Sequence, residues 1–396
     1  MLRCASCSGG APELPPLRVL VCPQEFKGSL TAAEAAEAIA SGARAALADV
    51  HIRTLPLADG GPGTVDACLA AGIGMRVLAW VTGPLGESVE AAYALFHVGG
   101  SAPFAVIESA AACGLMLVAP THRDPVHAST FGVGELVVHA ASRGARRIVV
   151  GVGGSGSNDG GAGAAQALGV RRLDADGTEL SRGGIALERL TRIDAASASP
   201  ALNGVELRVA VDVTSPLLGE LGATAIYGPQ KGVRDWEAPA LDRALARWAR
   251  RIEEDLGLSL AAEEGAGAGG GLPVGLLAAA HAAGASAGIE SGAALVAEAV
   301  GLHAAIETAD LVITGEGSLD AQTGYGKTVA YVAGLAAERR RPCLAVGGQV
   351  HGLPEGVAHA EASTPPGVTI EKAMTLGAVP VRDAAERMVR WWVERR

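Results

Sequence analysis

At 396 residues the chain is longer than one ordinary domain and suits two, and 49% hydrophobic residues supply a sizeable core. Only 3% of residues are aromatic, so that core must be built from Ala, Val, Leu and Ile, and the 55 glycines follow no G-X-Y period, which excludes a collagen-like fold. A net charge of −10, with no basic stripe, argues against a nucleic-acid partner, and no apolar run reaches the length of about 18 residues that a membrane-spanning helix needs.

The first sixteen residues, "MLRCASCSGGAPELPP", lack the apolar segment of a signal peptide and read as a disordered lead-in. Cys4 and Cys7 form a lone CxxC with no second pair at zinc-site spacing, so the six cysteines read as reduced thiols of a cytoplasmic protein. "LRVLVCP" (17–23) is the continuous apolar run of a buried parallel strand. An Ala-rich amphipathic helix follows, with Ser29 or Thr31 as N-cap and Glu34 in its first turn. "HIRTLPLA" gives the next strand and "DGGPGT" leads into the helix "VDACLAA", completing βαβ syntax.

From about Met75 the syntax changes. "MRVLAWVTG", "SVEAAYALFHV" and "FAVIES" follow one another across short Gly/Pro turns, as in a meander. The helix "GVGELVVHAAS", the strand "RRIVVGV", the helix "GAGAAQAL" and the strand "VELRVAVDV" come next. "DWEAPALDRALARWARRIEEDL" reads as a long exposed helix presenting a solvated face, and the Gly-rich "EEGAGAGGGLPVG" as the crossing back to the first domain. "ADLVITGEGS", "TVAYVAGLAAERR" and "PCLAVGG" restore βαβ alternation. The expected architecture is α/β with two domains. A parallel-sheet domain is built from both chain ends (17–74 and 285–396), and a mixed α/β domain (75–284) is inserted in it, with a ligand cleft between them.

Four Gly-rich turns follow strands and carry polar groups. "FKGS" offers Lys27 and Ser29 at a helix start, which suits an anion. "ADGGPGT" places Asp59, Gly60 and Gly61 at a strand end, where Asp59 can equally cap the following helix. "GVGGSGSNDGGAG" (151–163) has Gly151, Gly153 and Gly156 at dinucleotide-fingerprint spacing, with Asp174 and Asp176 about twenty residues on. Asn158 and Asp159 oppose that reading, because a carboxylate where the pyrophosphate should rest repels it. With Ser155, they suit a hydroxyl substrate or a hydrated cation better. In "ITGEGSLDAQTGYGKT", Glu316, Asp320 and Lys327 share one rim, the pattern that magnesium–phosphate chemistry needs, and Asp212 at the end of "VAVDV" adds a carboxylate. No G-x-S-x-G elbow, HExxH motif or histidine cluster is present.

The segments "FKGSLTAAEAAEAI", "PLADGGPGTVDA", "GVGGSGSNDGGAGAAQALG", "DVTSPLLG" with "YGPQKG", and "DLVITGEGSLDAQTGYGK" resemble, in order, those of bacterial type I glycerate kinases, which phosphorylate D-glycerate with ATP. The resemblance covers nearly the whole chain from Leu17. It implies a flavodoxin-like (Rossmann-like) domain with a restriction-enzyme-like α/β insert, and Mg²⁺ and ATP as cofactors; a cytoplasmic location and a homodimer are further expectations. It places Lys27, Asp159 and Asp212 in catalytic roles. Ser29, Asp59, Gly60, Gly61, Ser155, Asn158 and Lys327 would bind substrate or phosphate, and Glu316 and Asp320 would hold the metal. Departures from the family pattern are Gln24 and Glu25 near an expected Asp, Pro62 for Glu, Ser318 for Arg and Tyr325 for His. They keep open a weakened binding relative, alongside a NAD-dependent oxidoreductase that would use the 151–156 loop. Phosphorylation of the 2-hydroxyl is what the resemblance favours.

Overall fold

The computed structural model describes residues 16–72, 74–97, 102–320 and 328–396. The strands in chain order are β1 (Leu17–Val21), β2 (Val50–Thr54), β3 (Gly74–Thr82), β4 (Ser88–Phe96), β5 (Phe104–Glu108), β6 (Arg147–Gly151), β7 (Arg171–Leu173), β8 (Arg192–Asp194), β9 (Glu206–Ala210), β10 (Ser286–Glu290), β11 (Leu311–Leu319), β12 (Cys343–Val350) and β13 (His359–Ala362).

Strands from the two chain ends make one sheet of order β13-β12-β11-β1-β2, parallel throughout. The chain steps from β1 to β2 on one side and returns at β11 on the other, so the strand order reverses between β1 and β11. A crevice outside the carboxyl ends of parallel strands opens at such a point. The second sheet, β10-β9-β6-β5-β4-β3, is parallel from β10 to β5 and antiparallel across β5-β4-β3, which is the expected meander. The fold is thus mixed α/β with one parallel and one mixed sheet. The return to the parallel sheet comes later than expected: β10 lies beyond residue 285 yet pairs with β9, Ser286 opposite Glu206.

Local signals explain the elements. Helix Ala32–Ala46 starts at Thr31, not Ser29, because Thr31 and Glu34 cap each other's backbone amides in a capping box. Its apolar face packs with helix Val379–Val393 against one face of the parallel sheet. The other face shares a buried cluster with the second sheet: Leu20, Val312 and Ala345 join Phe96, Val106 and Val149 through Val65 and Leu295. This common core fixes the two sheets relative to each other.

Two expectations are corrected. Helix Ala238–Leu256 is not a solvated face, since Leu241, Ala244, Leu245, Trp248, Ala249 and Ile252 are buried. Their i, i+3, i+4 spacing is an apolar stripe that the interspersed charges hid. The Gly-rich stretch is not an open crossing either, because it begins the buried helix Ala268–Ala282. Gly269, Gly270 and Gly271 all have positive φ (59°, 78° and 86°), and they let the backbone press against the 152–160 loop.

Candidate active site

A cavity of about 600 Å³ lies at the carboxyl ends of strands from both sheets. The loops after β1 and β2 bring Glu25, Lys27 and residues 59–62. Those after β6 and β9 bring residues 152–155 and 210–213, and helix Ala223–Lys231 brings Tyr227, Gln230 and Lys231. The loops touch backbone to backbone. The Gly153 amide donates to the Gly60 carbonyl at 3.4 Å, and a Cβ on Gly151 would fall 2.2 Å from that same oxygen. Two glycines of the dinucleotide-like spacing therefore serve loop-to-loop packing.

Lys27, Asp59, Gly60, Gly61, Ser155 and Asp212 come together on this cavity. Asp59 Oδ1 accepts from the Gly61 amide (3.1 Å) and Oδ2 from Gln24 Nε2 (2.8 Å), so Asp59 folds its own turn and does not cap the next helix, whose N-cap is Gly63. Asp212 Oδ1 accepts from Ser291 Oγ and the Gly292 amide, both at 2.9 Å, while Oδ2 is buried with no hydrogen-bond partner. Burial raises the Asp212 pKa to about 6; Asp59 pushes the same way, and the Ser291 and Gly292 bonds pull against it. Burial likewise raises Glu25, with Lys27 opposing.

Asn158 and Asp159 do not line the cavity, which corrects the expectation placed on them. Both are wholly buried. Asn158 Nδ2 donates to Thr224 Oγ1 at 2.9 Å. Asp159 accepts from the amides of Thr130 (2.9 Å), Gly161 (3.0 Å) and Gly163 (3.1 Å) and from Thr130 Oγ1. Its carboxylate thereby occupies the start of helix Ala162–Ala167, where a dinucleotide pyrophosphate would have to sit. Asp174 is likewise a turn residue, bonded to the amides of Asp176 and Thr178 and to Arg189.

Ser29 lies apart, in a second cavity of about 80 Å³ that it lines with Phe26, Gly317, Gln349, Thr364 and Met374. Lys27 lines both cavities. Gly317 of β11 packs against this turn: a Cβ there would lie 3.5 Å from the Lys27 amide nitrogen. Glu316 precedes it, half-exposed, and Asp320 is exposed just after β11. Among the described residues neither lines the two cavities, and no group of three metal-capable side chains gathers. Lys327 and Tyr325 lie outside the described residues. Pro62 lines the main cavity beside Gly154, making that wall apolar, and Ser318 sits exposed on β11 opposite Gln349.

Lys231 is the functional candidate that sequence reasoning missed. It is 2% exposed, and its Nζ donates to the Ser157 carbonyl (2.6 Å) and to Ser155 Oγ (3.2 Å). Burial lowers its pKa to about 8, against the pull of Asp159. The available signal was a lysine ending a helix at a glycine, Gly232, inside the "YGPQKG" match. Two cations and three carboxylates on one cavity suit a reaction that gathers anionic groups and removes a hydroxyl proton.

The model of the glycerate kinase family matches residues 19–393. A glycerate kinase of Halalkalibacterium halodurans is 41% identical over 375 residues, spanning 93% of this chain and 97% of that protein. Glycerate 2-kinase of Escherichia coli K12 is 41% identical over 334 residues, 84% of this chain and 86% of its own. The crystal structure of a chain described as glycerate kinase 2 from Salmonella typhimurium LT2 superposes with a TM-score of 0.83 at 39% identity, covering 96% of this chain and 99% of that one. With its order of strands, its cavity and these matches in agreement, the chain belongs to the glycerate kinase family.

Proposed function

We propose that this kinase transfers the γ-phosphoryl group of ATP to the 2-hydroxyl of D-glycerate in the 600 Å³ cavity, giving 2-phosphoglycerate. The observation that carries this reading is Asp212: one carboxylate oxygen is anchored by Ser291 and Gly292, the other has no partner, and Lys27 lines the same cavity. A carboxylate with a pKa near 6 is mostly ionised at neutral pH and basic enough to accept the hydroxyl proton. Lys27 offsets charge on the moving phosphoryl group, and Gln24 holds Asp59 in place beside it. The E. coli relative's description as a 2-kinase favours the 2-position.

The donor is assigned to the side of the second cavity, because it opens at the reversal of strand order and Lys27 connects it with the first. The carboxylates fit Mg²⁺, which needs only one or two of them beside phosphate oxygens and water. Asp59 would serve on the main cavity, with Glu316 and Asp320 as further candidates next to the Lys27 turn. When bound, Mg²⁺ neutralises the phosphate oxygens. No described helix is long and apolar enough to cross a membrane. Because the proposed donor is ATP, the reaction is placed in the cytoplasm. ADP release that depends on glycerate supports the assignment. ADP release indifferent to glycerate overturns it.

A further inference from the structure

Lys231 is a buried ammonium without a counter-ion. Its two acceptors, the Ser157 carbonyl and Ser155 Oγ, are neutral, and no described carboxylate forms an ion pair with it. Ser155 Oγ is itself tied to the Gly269 carbonyl at 2.7 Å, so it accepts from Lys231 and cannot turn away. Asp159, the nearest anion in effect, is saturated by Thr130, Gly161 and Gly163. Gly270 backs the ammonium: a Cβ there would stand 2.9 Å from Nζ. A buried charge so arranged is costly unless an anion completes it, and Lys231 lines the main cavity, where such an anion can enter.

We propose that Lys231 is a specificity-determining residue that binds the carboxylate of the acceptor and so selects a hydroxy acid over a neutral alcohol. The inference rests on the glycerate reading above. It assigns the two lysines separate anions. Lys27, where the two cavities meet, faces the phosphoryl group; Lys231, on the wall built by the six-stranded sheet's connections, faces the acceptor. Glycerate thereby supplies the counter-ion that the folded chain leaves out.

The test compares glycerate with glyceramide, its neutral isostere, in the wild type, Lys231→Met and Lys231→Arg. The wild type should prefer glycerate by about 100-fold in kcat/KM, the worth of one buried charged hydrogen-bond pair. Lys231→Met should raise KM for glycerate about 100-fold, leave KM for ATP within about threefold, and abolish the preference; Lys231→Arg should restore part of it. The wild-type KM for glycerate should climb above about pH 8 as the ammonium loses its proton, and Lys231→Arg should remove that climb. The other ionisable groups facing this region are Asp159, Cys113, Glu25, Lys27, Asp59, Asp212 and Tyr227, and Cys113 is pushed up to about 12 by burial. If Lys231→Met keeps the preference, or loses ATP and glycerate affinity equally, the anchor role is wrong and the glycerate reading stands. If Lys231→Met does not fold, the wild-type pH profile decides: a flat KM for glycerate across pH 8 overturns the role. If the wild type phosphorylates no glycerate, both readings fall.

Discussion

Asp159 and Thr130 form a closed pair inside the protein: the carboxylate accepts from the Thr130 amide at 2.9 Å and from its hydroxyl at 3.0 Å. Thr130 Oγ1 in turn accepts from the Ala164 amide at 3.0 Å, so the pair ties one helix start to another. Asp159→Ala would strand buried amides of Thr130, Gly161 and Gly163. At about 1–3 kcal/mol per unsatisfied group, with partial relaxation, a loss of roughly 3–5 kcal/mol is expected. Urea unfolding should show it as a lower midpoint. A stable Asp159→Ala with kcat reduced about a thousandfold would instead return Asp159 to catalysis.

Asp212 gives the pH prediction. The active form is the carboxylate, and its pKa is raised to about 6, so kcat/KM should fall about tenfold per pH unit below that value. Burial is the main cause and the negative charge of Asp59 a further one, so Asp59→Asn should move the acid limb to lower pH. Asp212→Asn should lower kcat by about 10²–10⁴ with little change in stability. The full pH–rate profiles of the three proteins check this.

Gly270→Ala tests the glycine stretch. The residue has φ of 78°, and a Cβ would fall 2.1 Å from the Ser157 carbonyl oxygen. Left-handed strain of about 1–3 kcal/mol adds to a backbone clash, so thermal stability should drop by several degrees or more. A neutral effect would mean that the loop and helix start are not packed as described.

Trp248 tests the stripe hidden in the charged helix. Its indole Nε1 donates to the Gly160 carbonyl at 2.9 Å, and the side chain is wholly buried. Trp248→Ala should cost about 3–5 kcal/mol by denaturant unfolding. A value under about 1 kcal/mol would contradict the burial.

The parallel-strand runs and the capping box at Thr31 were legible because each rests on local pattern: continuous apolar residues for β1, a T-x-x-E spacing for the helix. Lys27, Asp59 and Asp212 stand at strand ends followed by Gly-rich turns, and the fold brings all three to one cavity. Asn158 and Asp159 misled because a polar residue in such a turn looks the same whether it faces the cavity or ties the turn down. Only the positions of Thr130 and Thr224, 29 and 66 residues away from their partners, decide it. Lys231 was illegible for the same reason. Its burial depends on Ser155, Ser157 and Gly270, none of them near it in sequence. β10 could not be assigned to its sheet, because a short strand carries no mark of which sheet it joins.

The most direct test of the central claim is phosphorus NMR of the product formed from D-glycerate, ATP and Mg²⁺. A single phosphomonoester is expected, its signal split by one carbinol proton, the mark of a 2-phosphate, and appearing in step with ADP. A signal split by the two protons of a terminal carbon, or no phosphomonoester at all, would contradict it.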